Sequence, residues 1–139
     1  PPPRHPPQIK GVVLFCGIFD ATAVATEGPF SDFIRTVLWS YFGTPDITGD
    51  SRLEQFSVAG HVTADFPPTF VSVGNADPLA PQSAKLAEAL KSKGVAVETL
   101  FFPPDHAPPL QHEYQFDLDG EAGKQALARL EAFLAARAN

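Results

Sequence analysis

Cysteine occurs once in the chain, at Cys16, which excludes an internal disulfide framework and any Cys-rich zinc site. Positive charge is scarce as well: Lys and Arg total 10 against 16 Asp and Glu, for a formal net charge of −6. With no basic stripe along the sequence, nucleic acid is not an expected partner. No apolar run approaches the roughly 20 residues that a membrane-spanning helix needs. Nor does the chain open on a charged stub followed by an apolar stretch and a small-residue cleavage site, so no signal peptide is expected. These absences leave the compartment open and favour a soluble protein of the cytoplasm.

What is present suits one domain. The 139 residues are 44% apolar, enough to bury a core. Proline is abundant: the 15 prolines are roughly double the usual share of about 5%. They cluster at Pro1–Pro7, Pro67-Pro68, Pro103-Pro104 and Pro108-Pro109, each beside an apolar segment, as rigid loops bordering strands would be. Residues 1–9 read as an extended lead-in, because PPPRHPP can be neither helix nor central strand.

Three strand-like and three helix-like segments alternate after that. Lys10–Cys16 is an apolar, β-branched run of the kind covered on both faces in parallel sheets. In the stretch 29–43, Phe30, Phe33, Ile34, Val37, Leu38, Tyr41 and Phe42 recur at helical spacing as one wide apolar face, with Gly43 as the stop. The polar stretch 44–68 reads as loop with one short helix. Thr69–Val73 is a second strand, Gln82–Lys93 a helix with Leu86, Ala87 and Leu90 inward, and Val95–Phe102 a third strand. Gly120–Arg137 closes the chain as a helix, with Asp119 as N-cap and Leu127, Leu130, Phe133 and Leu134 as the buried stripe. This order predicts an α/β fold with a three-stranded parallel sheet.

Ligands of open parallel sheets bind beyond the carboxyl ends of the strands. Two polar segments fall there: Gly74-Asn75-Ala76-Asp77-Pro78-Leu79 after the second strand, and the loop from Asp105 to Tyr114, with His106 and His112, after the third. A strand-end Asp before Pro is commonly a turn residue, and a loop His is commonly a surface residue. Together on consecutive strands they can form an acid–base pair, the carboxylate fixing the imidazole tautomer. Cys16, at the end of an apolar run, reads as a buried core thiol, since no cation or helix start lies nearby to activate it.

The string PPTFVSVGNADPL at 67–79 resembles the acid-bearing strand and turn of bacterial α/β-hydrolases, in particular the acetyl-esterase and hormone-sensitive-lipase-like branch. His112-Glu113-Tyr114 is similar to that branch's histidine followed by a polar residue and an aromatic. Gly11–Asp20 and Phe30–Gly43 resemble its later strand and part of its lid-bearing insertion, which would span about 17–66. The resemblance implies that residues 10–139 form the C-terminal part of an α/β-hydrolase domain. It implies a serine carboxylesterase acting on small ester substrates, with Asp77 and His112 as triad acid and base, and no metal or organic cofactor. His106 stays open as the alternative base: counting from Phe102 it is nearer the family's position, whereas counting back from the closing helix favours His112.

One departure matters. The family's nucleophile sits in Gly-x-Ser-x-Gly at a strand-to-helix turn. No such motif occurs, and none of the serines at 31, 40, 51, 57, 72, 83 and 92 has the glycine framing. The His-Gly-Gly-type oxyanion loop is absent too. The chain is therefore expected to supply two triad members, and to be inactive without a nucleophile-bearing N-terminal half. The alternatives are a non-catalytic binding or assembly module and a dienelactone-hydrolase- or thioesterase-like fragment. The Lys10–Cys16 strand, free of charge after Lys10 and free of proline, is expected to be covered by that half or by a second copy. For the aromatic-rich helix, with Trp39 and Tyr41, two readings stand: wall of a substrate pocket, or plain sheet cover.

Overall fold

Pro68 and Gly74 bracket five residues, Thr69–Val73, that form the middle strand of the sheet, and every one of them is buried. Around it the computed structural model describes residues 9–24, 30–47 and 49–138. The strands are β1 (Val12–Phe15), β2 (Thr69–Val73) and β3 (Val97–Phe101), in the spatial order β1-β2-β3. Both pairings are parallel, with Val12 opposite Thr69 and Thr69 opposite Val97. The helices are α1 (Ser31–Phe42), α2 (Arg52–Phe56), α3 (Ala80–Ser92) and α4 (Glu121–Ala135), with single 3-10 turns at Ala21–Ala23, Val58–Gly60 and Tyr114–Phe116. The expected alternation of strand and helix is thus the fold.

Alternating side chains send each strand's residues to two faces. Phe70 goes to one face with Leu100, Tyr114, Ala126 and Phe133, so α4 covers that side. The other face packs Leu14 and Val97 against Leu86, Leu90 and Val95 on and after α3. Phe15, Phe70 and Phe133 link the sheet to α4 through ring contacts at 6.0 and 5.8 Å. A third cluster, Ile34, Leu38 and Phe42 with Val24, Ile47 and Leu53, holds α1 to its neighbours.

Several expected boundaries shift. The first strand is shorter than Lys10–Cys16, because Cys16 turns to φ 49° and leaves the ladder. The third begins at Val97 rather than Val95, whose N–H closes the end of α3 on the Leu90 carbonyl. The helix expected at Gln82–Lys93 is α3 and begins at Ala80, with Pro81 in its first turn, where a missing N–H costs nothing. On α1 only Ile34, Leu38 and Phe42 are buried, a narrower stripe than the wide face expected; Gly43, at φ 73°, ends it with its N–H on the Trp39 carbonyl.

The closing helix is corrected twice. Its N-cap is Gly120 rather than Asp119, and the Asp117 carboxylate accepts the Gly120 N–H at 3.2 Å. Its buried face is Gly123, Ala126 and Phe133, whereas Leu127 and Leu134 are 41% and 49% exposed. The helix approaches the Tyr114–Asp117 backbone so closely that small residues must face it. Residues 1–8 of the expected 1–9 lead-in, and Pro29, lie outside the described residues. Among the described residues no helix is long and apolar enough to cross a membrane.

Candidate active site

Three chain segments converge beyond the carboxyl ends of the strands. The first is the turn after β2. Its Gly74 has no room for a side chain, since a Cβ there would stand 2.3 Å from the Leu110 carbonyl oxygen. That close approach lays the loop after β3 directly on the acid turn. The Ala76 N–H donates to the Leu110 carbonyl at 3.0 Å, and the Asn75 side chain completes the joint. Asn75 Oδ1 accepts the Leu110 N–H at 2.9 Å, while its Nδ2 donates to the carbonyls of His106 and Pro104 at 3.2 and 3.3 Å.

Asp77 is buried in this turn with a fully covered side chain. Its Oδ1 accepts the Leu79 N–H at 2.7 Å, an Asx turn that fixes the carboxylate plane. Its Oδ2 meets His112 Nδ1 at 2.9 Å. The structure therefore brings Asp77 and His112 together. Beyond His112 the loop is pinned again by Tyr114. Ser72 Oγ donates to the Leu100 carbonyl at 2.9 Å, so the Tyr114 hydroxyl donates to Ser72 Oγ at 2.6 Å. Burial pushes the Tyr114 phenol above its usual range, which keeps it a donor.

His106 points elsewhere. Its Nδ1 contacts the Pro108 carbonyl at 3.1 Å, and its ring stands edge-on to Phe102 with centroids 4.8 Å apart. His61 lies beside a separate polar recess with Asp20, Thr22 and Glu54, its Nε2 on the Glu54 carbonyl. His5 is outside the described residues.

Because Nδ1 faces Asp77, a neutral imidazole carries its proton there and leaves the Nε2 lone pair available. Nε2 makes no hydrogen bond among the described residues, and the His112 side chain is 45% exposed. It borders an apolar cavity of about 410 Å³. Ile18, Pro78 and Leu79 line the sheet side of that cavity, and Phe30, Phe33, Ile34 and Val37 of the α1 segment line the other. Trp39 and Tyr41, for which pocket wall and sheet cover were both open, do not line the cavity and are exposed. None of the seven serines lines the cavity.

The segment carrying Ile18 is held from α3 by Gln82. Its side-chain oxygen accepts the N–H groups of Phe19 and Asp20, and its nitrogen donates to the Asp20 carbonyl at 3.1 Å. Asp20 is paired with Lys85, whose ammonium, followed by the Thr22 hydroxyl, holds its carboxyl below the ordinary range.

Sequence reasoning missed one member of the site. Cys16 is buried, but beside the Asp77–His112 pair rather than within an apolar cluster. The donor atoms of Cys16, Asp77 and His112 all lie within 4.8 Å of one another. Burial, and secondarily the Asp77 carboxylate, push the thiol up to about 11. Such a thiol stays protonated at neutral pH and is not poised as a nucleophile. The available signal was positional: Cys16 ends a strand at the same sheet edge as the acid and the histidine.

Residues 3–106 match the α/β-hydrolase fold family. Among solved structures the chain is similar to esterase B from Lactobacillus Rhamnosis, with a TM-score of 0.66 and 23% identity, over 91% of this chain and 40% of that one. It is similar to an esterase E25, with a TM-score of 0.71 and 18% identity, over 92% of this chain and 40% of that one. It is also similar to a thermophilic esterase from Thermogutta terrifontis with propionate bound, with a TM-score of 0.60 and 22% identity, over 91% of this chain and 42% of that one. At these identities the likeness is one of fold. The chain spans about two fifths of the length of those structures. No curated protein matches it.

Proposed function

Since the chain belongs to the α/β-hydrolase fold family, we propose that it contributes the acid and the general base of a carboxylic ester hydrolase, Asp77 and His112. The observation that carries this reading is the 2.9 Å contact between Asp77 Oδ2 and His112 Nδ1, with Nε2 left at the edge of an apolar cavity. The nucleophile, on this reading a serine, comes from outside the sequence, because no serine of the chain lines that cavity.

The chemistry follows from the geometry. Asp77 holds the Nδ1–H tautomer, so Nε2 accepts the proton of an attacking hydroxyl as it adds to the ester carbonyl. The imidazolium so formed is stabilised by the buried carboxylate, and Nε2 then returns the proton to the leaving alkoxide. An apolar cavity suits a small ester with a short or medium alkyl or acyl chain. The strand β1 presents its outer edge for pairing with the strand that would bear the nucleophile, or with a second copy of the chain.

The test is hydrolysis of short-chain nitrophenyl esters by this chain alone and by the gene product that includes it. The chain alone should show no turnover that a serine-directed phosphonate abolishes. The larger product should turn over, and His112→Gln and Asp77→Asn should each lower kcat by a factor on the order of 10³ or more. Turnover in the larger product that survives His112→Gln would overturn the assignment.

A further inference from the structure

Cys16, Asp77 and His112 come from the segments that follow three neighbouring strands, and their donor atoms lie within 4.8 Å of one another. In a tetrahedral zinc-type site, ligand bonds of about 2.0–2.3 Å place neighbouring donors roughly 3.2–3.8 Å apart. The His112 nitrogen and the Asp77 oxygen are already 2.9 Å apart, so small side-chain adjustments bring all three donors onto one ion. Two of the donors are buried and anchored, and the third is open to solvent. Asp77 is fixed by the Leu79 N–H, and the Cys16 thiol donates to Gln115 Oε1 at 3.7 Å. His112, with its 45% exposed side chain, provides the way in and leaves an outer position for water.

The donor set selects the ion. One thiolate, one imidazole and one carboxylate suit borderline to soft divalent metals and disfavour magnesium or calcium, which take oxygen donors. We propose that Cys16, Asp77 and His112 bind a single divalent cation of the zinc, cobalt or cadmium class through Sγ, a carboxylate oxygen and Nδ1. On binding, the S–H bond breaks and its proton leaves to solvent. The Nδ1 proton of the neutral imidazole moves to Nε2, freeing the Nδ1 lone pair for the metal, and nothing is oxidised or reduced. The shift leaves an N–H, rather than a lone pair, at the cavity. Where the ester-hydrolysing reading holds, the cation is therefore a reversible inhibitor; the binding site itself does not rest on that reading.

The probe is Co²⁺ titrated into this chain, followed by absorption. Cys16 is the one cysteine of the sequence, so a sulfur-to-cobalt charge-transfer band reports that residue alone. The band should saturate at one equivalent and disappear with EDTA. It should be absent from Cys16→Ser, and the apparent Kd should weaken at least about tenfold in both Cys16→Ser and His112→Gln. Circular dichroism confirms that each variant is folded. A folded wild-type chain that gives no sulfur-linked band, or a Cys16→Ser variant with unchanged affinity in competition with Zn²⁺, overturns the proposal. Absence of ester hydrolysis in the larger gene product would instead strike the functional reading and leave the cobalt result standing.

Discussion

Asp77 backs His112 at the edge of the cavity and Phe33 lines it, and the two side chains are held in opposite ways. The Asp77 carboxylate is fully covered and spends both oxygens on fixed partners. Phe33 is 66% exposed. On the acid side, Asn75, Ala76, Gly74 and the Ser72–Tyr114 pair lock two loops together through backbone and side-chain contacts. On the α1 side, three buried residues, Ile34, Leu38 and Phe42, hold the helix, while Phe30, Trp39 and Tyr41 stay largely uncovered. The difference fits the demands of the two walls. Acid–base chemistry needs atoms placed to a fraction of an ångström, whereas an apolar wall needs only surface of the right kind.

The strongest way to break that comparison is to force the acid side apart. Gly74→Ala puts a Cβ 2.3 Å from the Leu110 carbonyl oxygen, a backbone atom that cannot swing away. We expect the variant to lose roughly 3 kcal/mol of stability in chemical denaturation, at the upper end of overpacking costs. The downfield Nδ1 proton of His112, visible by NMR when Asp77 accepts it, should vanish, while the resonances of Ile34 and Leu38 stay in place. A variant as stable as the parent, with that proton intact, would show that the joint is not rigid.

How much of this was readable beforehand depends on what kind of contact sets each feature. Thr69–Val73 was legible because its apolar run is bounded by Pro68 and Gly74, and local rules decide such a strand. The positions of Asp77 and His112 were legible through the likeness of their flanking strings, and their meeting follows from parallel strand order. The buried stripe of α4 was misread, because hydrophobicity alone favours Leu127 and Leu134 over Gly123 and Ala126. The decision belonged to the close approach of the Asp117 backbone, a tertiary constraint invisible in periodicity. Cys16 was legible as a buried, unreactive thiol because its neighbours in sequence are apolar; that Asp77 and His112 lie beside it in space was not.

Cys16 sharpens the comparison from within the rigid side. Its thiol is pushed up to about 11 from a usual value of 9.0, so the folded chain holds the proton more tightly than the unfolded one. The associated stability is fully present below pH 9 and is lost as pH rises toward 11. The loss should reach about 2 kcal/mol at the upper limit, relative to Cys16→Ser, which has nothing to titrate there. The check is urea unfolding of both proteins from pH 8 to 11. Parallel stability curves would mean that the thiol is not held in the protonated form by its surroundings.

The smallest stability effect is expected on the opposite wall, where it becomes the most informative about function. Phe33 lines the cavity yet is 66% exposed, so Phe33→Ala removes little surface that folding had buried. Its cost should stay within about 0.5 kcal/mol, as for other substitutions at the surface. By contrast, Leu38→Ala, five residues further along the same helix at a fully buried position, should cost about 2–5 kcal/mol. The cavity nevertheless loses one of its larger apolar faces with Phe33. If the larger gene product hydrolyses esters as proposed, kcat/KM for a hexanoyl ester should fall more on Phe33→Ala than that for an acetyl ester, since a longer apolar chain has more surface to place against that wall. Loss of contact equivalent to one fully buried CH₂, worth roughly 0.8 kcal/mol, corresponds to about a fourfold change in that ratio. Equal losses for both esters, or a stability cost near that of Leu38→Ala, would show that Phe33 belongs to the packed part of the molecule and that the two walls are not built differently after all.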